Sequence, residues 1–454
     1  MLKAGTAKRD VSPTKSMFLW GYPHVARMST GIHDPLFATA LYLDDGQRRT
    51  LAVAVDVLYV DSALVSESRR RIQERIAVSP EHVMISATHT HSGPVTCSLL
   101  AMSGDPVVPE PDPSYREQVI QGIVEAACQA AETSVPAEVA ITSAQVDGVG
   151  CNRLSPEAAR DPEAGIVAVR RAGDKSLLAV QLFYSMHPTV LHEDSTRVSS
   201  DFPAYTRQAI QQAFPGVEVV YHNGPCGNLS PRYHVKAQTF AEAERLGARL
   251  GGFVVEALSA LRDEQFASAA SVGGACSFVS LPVRRFSSVA AAEVDLDAAR
   301  ETYERLKREG AGHGAVRTAE CVVFGAEEVV TLAKAQADGR LRSVQMSHQR
   351  AEVQVFWVGD TFLVALPGEY FVEYALEIKR RASARTFVMS MANGELQGYI
   401  TTPEAVGYEA NLSLFTPDAG AVLVEQALAL IDASPKSNVP SPKSTKFATK
   451  FLDP

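Results

Sequence analysis

Apolar residues in this chain fall into short unbroken runs set off by Gly, Pro and Asp clusters, with longer stretches of helical spacing between them. Phe37 to Leu43 and Thr50 to Val60 read as two strands joined by Asp44-Asp45-Gly46, a turn signal. The second is apolar except for Asp56, and a carboxylate inside such a run has to be paired or hydrogen-bonded. It serves either the fold or a site behind which it stands. Asp61 to Ile76 reads as an Arg-rich helix leading into Val83 to Ala87, a short buried strand. Asp112-Pro113 opens another helix, with Val119, Ile120, Ile123, Val124 and Ala127 on one face. Residues 139–149 alternate, and 164–190 hold two strands, the second ending at Tyr184-Ser185-Met186-His187-Pro188. Val217 to His222 is a strand feeding a Gly-rich turn, Asn223 to Pro231. A helix follows with Leu246, Leu250, Phe253, Ala257, Leu258 and Leu261 at helical spacing. Then come a β segment from Ser271 to Arg285 and a charged helix over 289–308. Next is a hairpin of Glu352 to Val358 and Thr361 to Leu366 around Gly359-Asp360. A strand from Thr386 to Met391 and a helix starting at Thr416-Pro417 complete the pattern, which assigns no element to 309–351.

With no internal repeat and no linker in mid-chain, this order implies an α/β fold. The expectation is a single large catalytic domain over residues 1–433, with mixed β-sheets flanked by helices. A flexible Ser/Pro/Lys-rich tail is expected over 434–454. Hydrophobic residues make up 46% and charged residues 21%, enough for a sizeable core. The net charge of −9 argues against nucleic acid or an anionic membrane as partner. Six scattered cysteines without CxxC pairing exclude a disulfide framework and zinc-finger spacing. No run approaches the roughly 18 apolar residues that span a bilayer. The N-terminus lacks the apolar segment of a signal peptide, so a cytoplasmic location is expected.

The chemistry centres on Thr88-His89-Thr90-His91-Ser92-Gly93-Pro94. On an extended backbone the i, i+2 spacing places both imidazoles on one face and both threonines on the other. Ligands in open α/β sheets collect beyond the carboxyl ends of strands. Other strands end in metal-competent side chains too: His187, Glu369 and Tyr399. Two histidines and a carboxylate around an open position are a common catalytic zinc arrangement. Calcium or magnesium wants more carboxylates and electron-transfer copper wants thiolate, which favours zinc. The Pro-rich loop 94–113 reads either as a lid over this site or as plain structure.

Five stretches resemble, in order, the motifs of the neutral/alkaline non-lysosomal ceramidase family. They are Thr88 to Pro94; Met186-His187-Pro188-Thr189 with Ser199-Ser200-Asp201; Gly227-Asn228-Leu229-Ser230-Pro231; Pro367-Gly368-Glu369; and Tyr399-Ile400-Thr401-Thr402. The resemblance covers the catalytic part, about residues 5–432. Secreted members continue into an immunoglobulin-like domain, and their segment after the last motif is longer than Pro403 to Tyr408.

It implies a zinc-dependent amidohydrolase that cleaves an N-acyl bond of ceramide or a related lipid or small-molecule amide with a metal-activated water. By motif, one Zn²⁺ would be held by His89, His187, Glu369 and Tyr399. His91 would serve the oxyanion or shuttle a proton, Arg153 would be the active-site arginine, and Ser230 the serine treated as catalytic in the family. The leaving nitrogen needs a proton, which His91 or Tyr408 could deliver. Asn228-Leu229-Ser230-Pro231-Arg232 is not a G-x-S-x-G elbow, which favours water over Ser230 as the attacker. The rival readings are a metal-assisted esterase or lactonase, and a non-catalytic binding protein that keeps the fold.

Overall fold

The computed structural model describes residues 1–22 and 25–434. The expected tail therefore lies outside the described residues, apart from Ser434. That residue still packs, its hydroxyl donating to the Leu430 carbonyl at 2.7 Å.

Twelve strands build two sheets. They are β1 (Lys3–Asp10), β2 (Phe37–Asp44), β3 (Arg49–Val55), β4 (Val83–Ala87), β5 (Val135–Gln145), β6 (Glu163–Arg171), β7 (Leu177–Tyr184), β8 (Glu218–Asn223), β9 (Val272–Ser280), β10 (Arg350–Val358), β11 (Thr361–Ala365) and β12 (Thr386–Met389). The larger sheet runs β8-β7-β6-β5-β1-β2-β3-β4, antiparallel except for the parallel pairs β7–β8 and β3–β4. The smaller runs β9-β10-β11-β12, with its last pair parallel.

The sheets pack face to face. Leu41, Met84, Val167 and Val220 of one meet Phe356, Leu363, Phe387 and Met389 of the other in a shared core. Helices α1 (Ser62–Ile76), α2 (Pro113–Glu132), α3 (Phe202–Ala213) and α4 (Phe240–Ser259) cover the outer face of the larger sheet. The outer face of the smaller is covered by α8 (Val372–Arg381) and α10 (Asp418–Ala433). The order is helices, sheet, sheet, helices. This layering explains the unbroken apolar runs: Ala38, Ala40 and Tyr42 face the helices while Leu41 and Leu43 face the second sheet.

Local signals work as expected. Asp61 caps α1 through the Leu64 amide at 2.7 Å, and Asp112 caps α2 through Ser114 at 2.8 Å with Pro113 in its first turn. β3 ends at Val55, five residues earlier than the sequence implies, because the backbone turns there to surround Asp56. Asp56 is fully buried and accepts from Arg207 at 2.9 and 2.8 Å, from the Thr88 hydroxyl at 3.0 Å and from the Phe37 amide at 2.9 Å. The stretch without an expected element is helical. After α5 (Val289–Arg308) come α6 (His313–Ala337) and α7 (Arg340–His348). The α5–α6 seam is built from Ala292, Leu296, Val323, Val330 and Ala333, and its small residues leave little apolar signature.

The larger sheet curls until its two edges meet. Ser86 on β4 and His222 on β8 come together at 2.7 Å from hydroxyl to Nδ1. Residues 390–393, just past β12, lie across the seam. The Ser390 amide donates to the Asn223 carbonyl, the Met391 carbonyl accepts from the Ala87 amide, and the Asn393 amide donates to the Ile85 carbonyl, at 2.9, 3.0 and 2.8 Å. The carboxyl ends of β4, β7 and β11 thus converge at one end of the molecule.

Candidate metal centre

The chain leaves β4 at Ala87 and keeps bonding to the segment after β3. The Thr88 amide donates to the Val55 carbonyl at 2.8 Å and the His89 amide to the Val57 carbonyl at 3.0 Å. His89 is left-handed, with φ +69°. The expected extended His-x-His is therefore corrected: a turn, not a pleat, brings the two imidazoles together. Their centroids are 5.0 Å apart and edge-on at 89°. The Thr90 hydroxyl donates to the Ser199 carbonyl at 2.6 Å.

Each imidazole uses Nδ1 on a backbone carbonyl: His89 on Leu58 at 2.9 Å, His187 on Cys226 at 2.8 Å and His91 on Gly21 at 2.9 Å. A carbonyl only accepts, so each Nδ1 carries the proton and each neutral ring turns a bare Nε2 lone pair the other way. Burial drives the pKa of His91 and of His187 well below the usual histidine value. The charges of Arg27 and Arg153 add to the effect on His91, and that of Arg153 to the effect on His187. The Nε2 atoms of His89 and His187 face each other at 3.0 Å.

Glu369 arrives from β11 through a turn at Gly368, φ +81°. Its Oε2 lies 3.4 Å from His89 Nε2 and 3.5 Å from His187 Nε2. Burial raises the pKa of this carboxyl, but its neighbours, among them the Tyr59 hydrogen bond and the Arg153 charge, hold it below the ordinary value. The buried Glu369 Oε2 and His91 Nε2 have no hydrogen-bond partner.

A cation between them would satisfy bare lone pairs this close to a carboxylate oxygen. A tetrahedral zinc ion about 2.0–2.1 Å from each donor would hold its donors about 3.3 Å apart. The separations of 3.0, 3.4 and 3.5 Å fit that figure. One ligand atom from each of His89, His91 and His187 lies within 4.8 Å of the others.

The other expected residues surround this group. Tyr399 sits beside Glu369 in a two-residue parallel pairing, Glu369–Tyr370 with Tyr399–Ile400. The Arg153 guanidinium lies 5.5 Å from the centroid of the Tyr399 ring, and burial and the Glu369 charge push the phenol's pKa well up. Arg153 follows Cys151–Asn152, which pairs with Leu229–Ser230. Its Nε donates to Glu409 at 2.8 Å, and its buried Nη2 has no partner. Ser230 lies opposite Cys151, and its hydroxyl accepts from the Arg232 amide at 3.3 Å. Tyr408 opens α9 (Tyr408–Leu412), its ring 6.1 Å from that of Tyr399. The α6 helix leans over this side: its Gly325 faces the Tyr408 ring, and its Thr318 accepts from Arg232 at 3.3 Å. Loop 94–113 is tied down by Gln397, which accepts from the Leu100 amide at 2.7 Å and donates to the Ser98 carbonyl at 3.1 Å.

Two residues of the site carry no motif. Glu409 holds Arg153, and Tyr59 donates from its phenol to Glu369 Oε1. Tyr59 stands three residues after Asp56, the polar break in an apolar run. That break is the signal that could have drawn attention to it.

Residues 2–224 match the sequence model of the neutral/alkaline non-lysosomal ceramidase N-terminal domain. Over that stretch the chain carries this family's N-terminal domain. The neutral ceramidase of Pseudomonas aeruginosa is 22% identical over 492 residues, covering 95% of this chain and 72% of that protein. That of Drosophila pseudoobscura pseudoobscura is 24% identical over 228 residues, 47% of this chain. The match spans 32% of the fly protein's length. The crystal structure of the Pseudomonas aeruginosa neutral ceramidase superposes with a TM-score of 0.74 at 18% identity, covering 96% of this chain and 76% of that one. A ceramidase complexed with C2 gives 0.75 at 17% identity, over 97% of this chain and 77% of that one. The likeness reaches well past the matched ceramidase N-terminal domain, into the second sheet and the segments that carry Glu369, Tyr399 and Tyr408.

Proposed function

We propose that this chain is a zinc-dependent hydrolase cleaving the N-acyl amide bond of ceramide or a related lipid amide. The observation that carries the reading is the convergence of two bare imidazole Nε2 atoms and a partnerless carboxylate oxygen, His89, His187 and Glu369, in a buried pocket. The family supplies the substrate class. These three residues would hold the ion, with Tyr399 completing the set. A zinc ion there supplies Lewis acidity toward the amide carbonyl and lowers the pKa of water toward ~7.

The chain's own residues supply the rest. His91, with Nδ1–H on Gly21, offers a buried Nε2 lone pair that takes a proton from water and passes it to the leaving nitrogen. Tyr408 is the second candidate for that delivery, and burial raises its pKa so that it keeps its proton at neutral pH. Arg153 Nη2 stabilises charge growing on the carbonyl oxygen, a role worth ~3 kcal/mol for one donor. Ser230 hydrogen-bonds the substrate beside Arg153. One water adds across the bond, hydroxyl to the acyl carbon and proton to the amine.

The test is metal content plus turnover on matched amide and ester substrates. Stoichiometric zinc, loss of amide cleavage on chelation and recovery on adding zinc support the reading. Ser230→Ala should then slow turnover while leaving zinc bound. Purified protein without affinity for a transition metal, or cleavage of the ester alone, overturns it.

A further inference from the structure

We propose that Tyr59 is a positioning residue of this centre, its phenol occupying Glu369 Oε1 so that the carboxylate offers the ion one oxygen only. The inference rests on the zinc reading above and adds to it how the carboxylate binds.

Leu58 and Tyr59 are consecutive, and each addresses a different ligand. The Leu58 carbonyl takes the Nδ1 proton of His89 at 2.9 Å, and the Tyr59 phenol donates to Glu369 Oε1. A carboxylate can only accept, so the direction of that bond is fixed. The other oxygen, Oε2, has no hydrogen-bond partner and stands 3.4 and 3.5 Å from the two Nε2 atoms. One oxygen is thus committed to the protein and one is turned to the imidazoles.

The phenol is held where it is from several sides. Its ring meets the Trp20 ring at 5.3 Å and 67° and the His89 ring at 5.3 Å and 64°. The Tyr59 carbonyl accepts from the Thr96 hydroxyl at 2.7 Å, and the side chain is buried. Without the phenol, Glu369 could swing both oxygens onto the ion and fill the position that water and substrate need. Hydrogen bonds to a ligating carboxylate or imidazole set its orientation, and losing one typically costs 10–100-fold in metal affinity or activity.

Tyr59→Phe keeps the ring between Trp20 and His89 and removes only the oxygen. Zinc-free wild type and Tyr59→Phe are titrated with zinc against a chromophoric chelator, and both are loaded with cobalt(II) for visible absorption. We expect zinc affinity to fall about 10–100-fold, with weaker cobalt bands as the coordination number rises. The melting temperatures of the zinc-free proteins should stay close. Equal zinc affinities within threefold and superimposable cobalt spectra overturn the proposal and leave the zinc reading standing. Wild type that takes up neither ion overturns both. If Tyr59→Phe fails to fold, X-ray absorption of zinc-loaded wild type decides: one short carboxylate oxygen supports the proposal, two overturn it.

Discussion

Replacing Asp56 by Asn should destabilise the protein more than almost any other isosteric change. Asp56 is fully buried, takes both guanidinium nitrogens of Arg207 and accepts from Thr88 and Phe37. An amide keeps the shape but loses the charge. The Arg207 guanidinium then stays buried without that counter-charge, keeping one amide oxygen and Ser200, at 2.7 Å, as acceptors. Breaking one side of a buried ion pair costs about 3–5 kcal/mol. With an m-value of about 3 kcal/mol per molar urea, the unfolding midpoint should drop by about 1–1.7 M. The double variant Asp56→Leu/Arg207→Met removes both charges, a change that is often neutral or stabilising when the apolar replacements pack, and leaves the Thr88 and Ser200 hydroxyls and the Phe37 amide to find other partners. It should therefore be the more stable of the two. Urea unfolding followed by circular dichroism measures both. A single-variant shift below about 0.3 M, or a double variant less stable than the single, refutes the argument.

Two further outcomes follow from positions nearer the site. Gly21 has φ +120°, and a Cβ there would lie 2.5 Å from His91 Nδ1. Gly21→Ala should therefore displace the His91 ring and lower kcat/KM at least about tenfold, and unchanged kinetics would refute the placement. Burial lowers the pKa of His222 to about 3, while an unfolded histidine titrates near ~6.5. Between those values the unfolded chain binds a proton that the folded one refuses. The His222 contribution is intact above ~6.5 and is lost on acidification, at up to roughly 1.4 kcal/mol per pH unit. His222→Gln should flatten the fall of the urea midpoint from pH 6.5 to 4, and a slope equal to wild type would refute this.

Much of the fold is legible because its strands are buried on both faces and punctuated by strong turns, as at Asp44-Asp45-Gly46. Asp61 and Asp112 mark helix starts with carboxylates that do cap them. Helix α6 escaped because its buried seam is partly alanine and valine, which look neutral beside exposed Val322. The candidate ligands His89, His187 and Glu369 are visible as polar ends of apolar runs, and the structure gathers them. Their geometry is not, because it depends on a left-handed His89 and on sheet edges that close through residues 390–393. Glu409 is invisible for the same reason, and Tyr59 is marked only by the nearby Asp56 break: each acts on a partner about 250–310 positions away.

That seam also sets an order of events during synthesis. The backbone of residues 390–393 ties the end of β4 to the end of β8, so the pocket stays open until the ribosome has delivered nearly the whole described chain. At about 5–20 residues per second, His89 waits on the order of 15–60 s for Asn393 to appear. A nascent chain shorter than that holds its histidines without the frame that aims them, and the candidate metal centre belongs to the finished polypeptide.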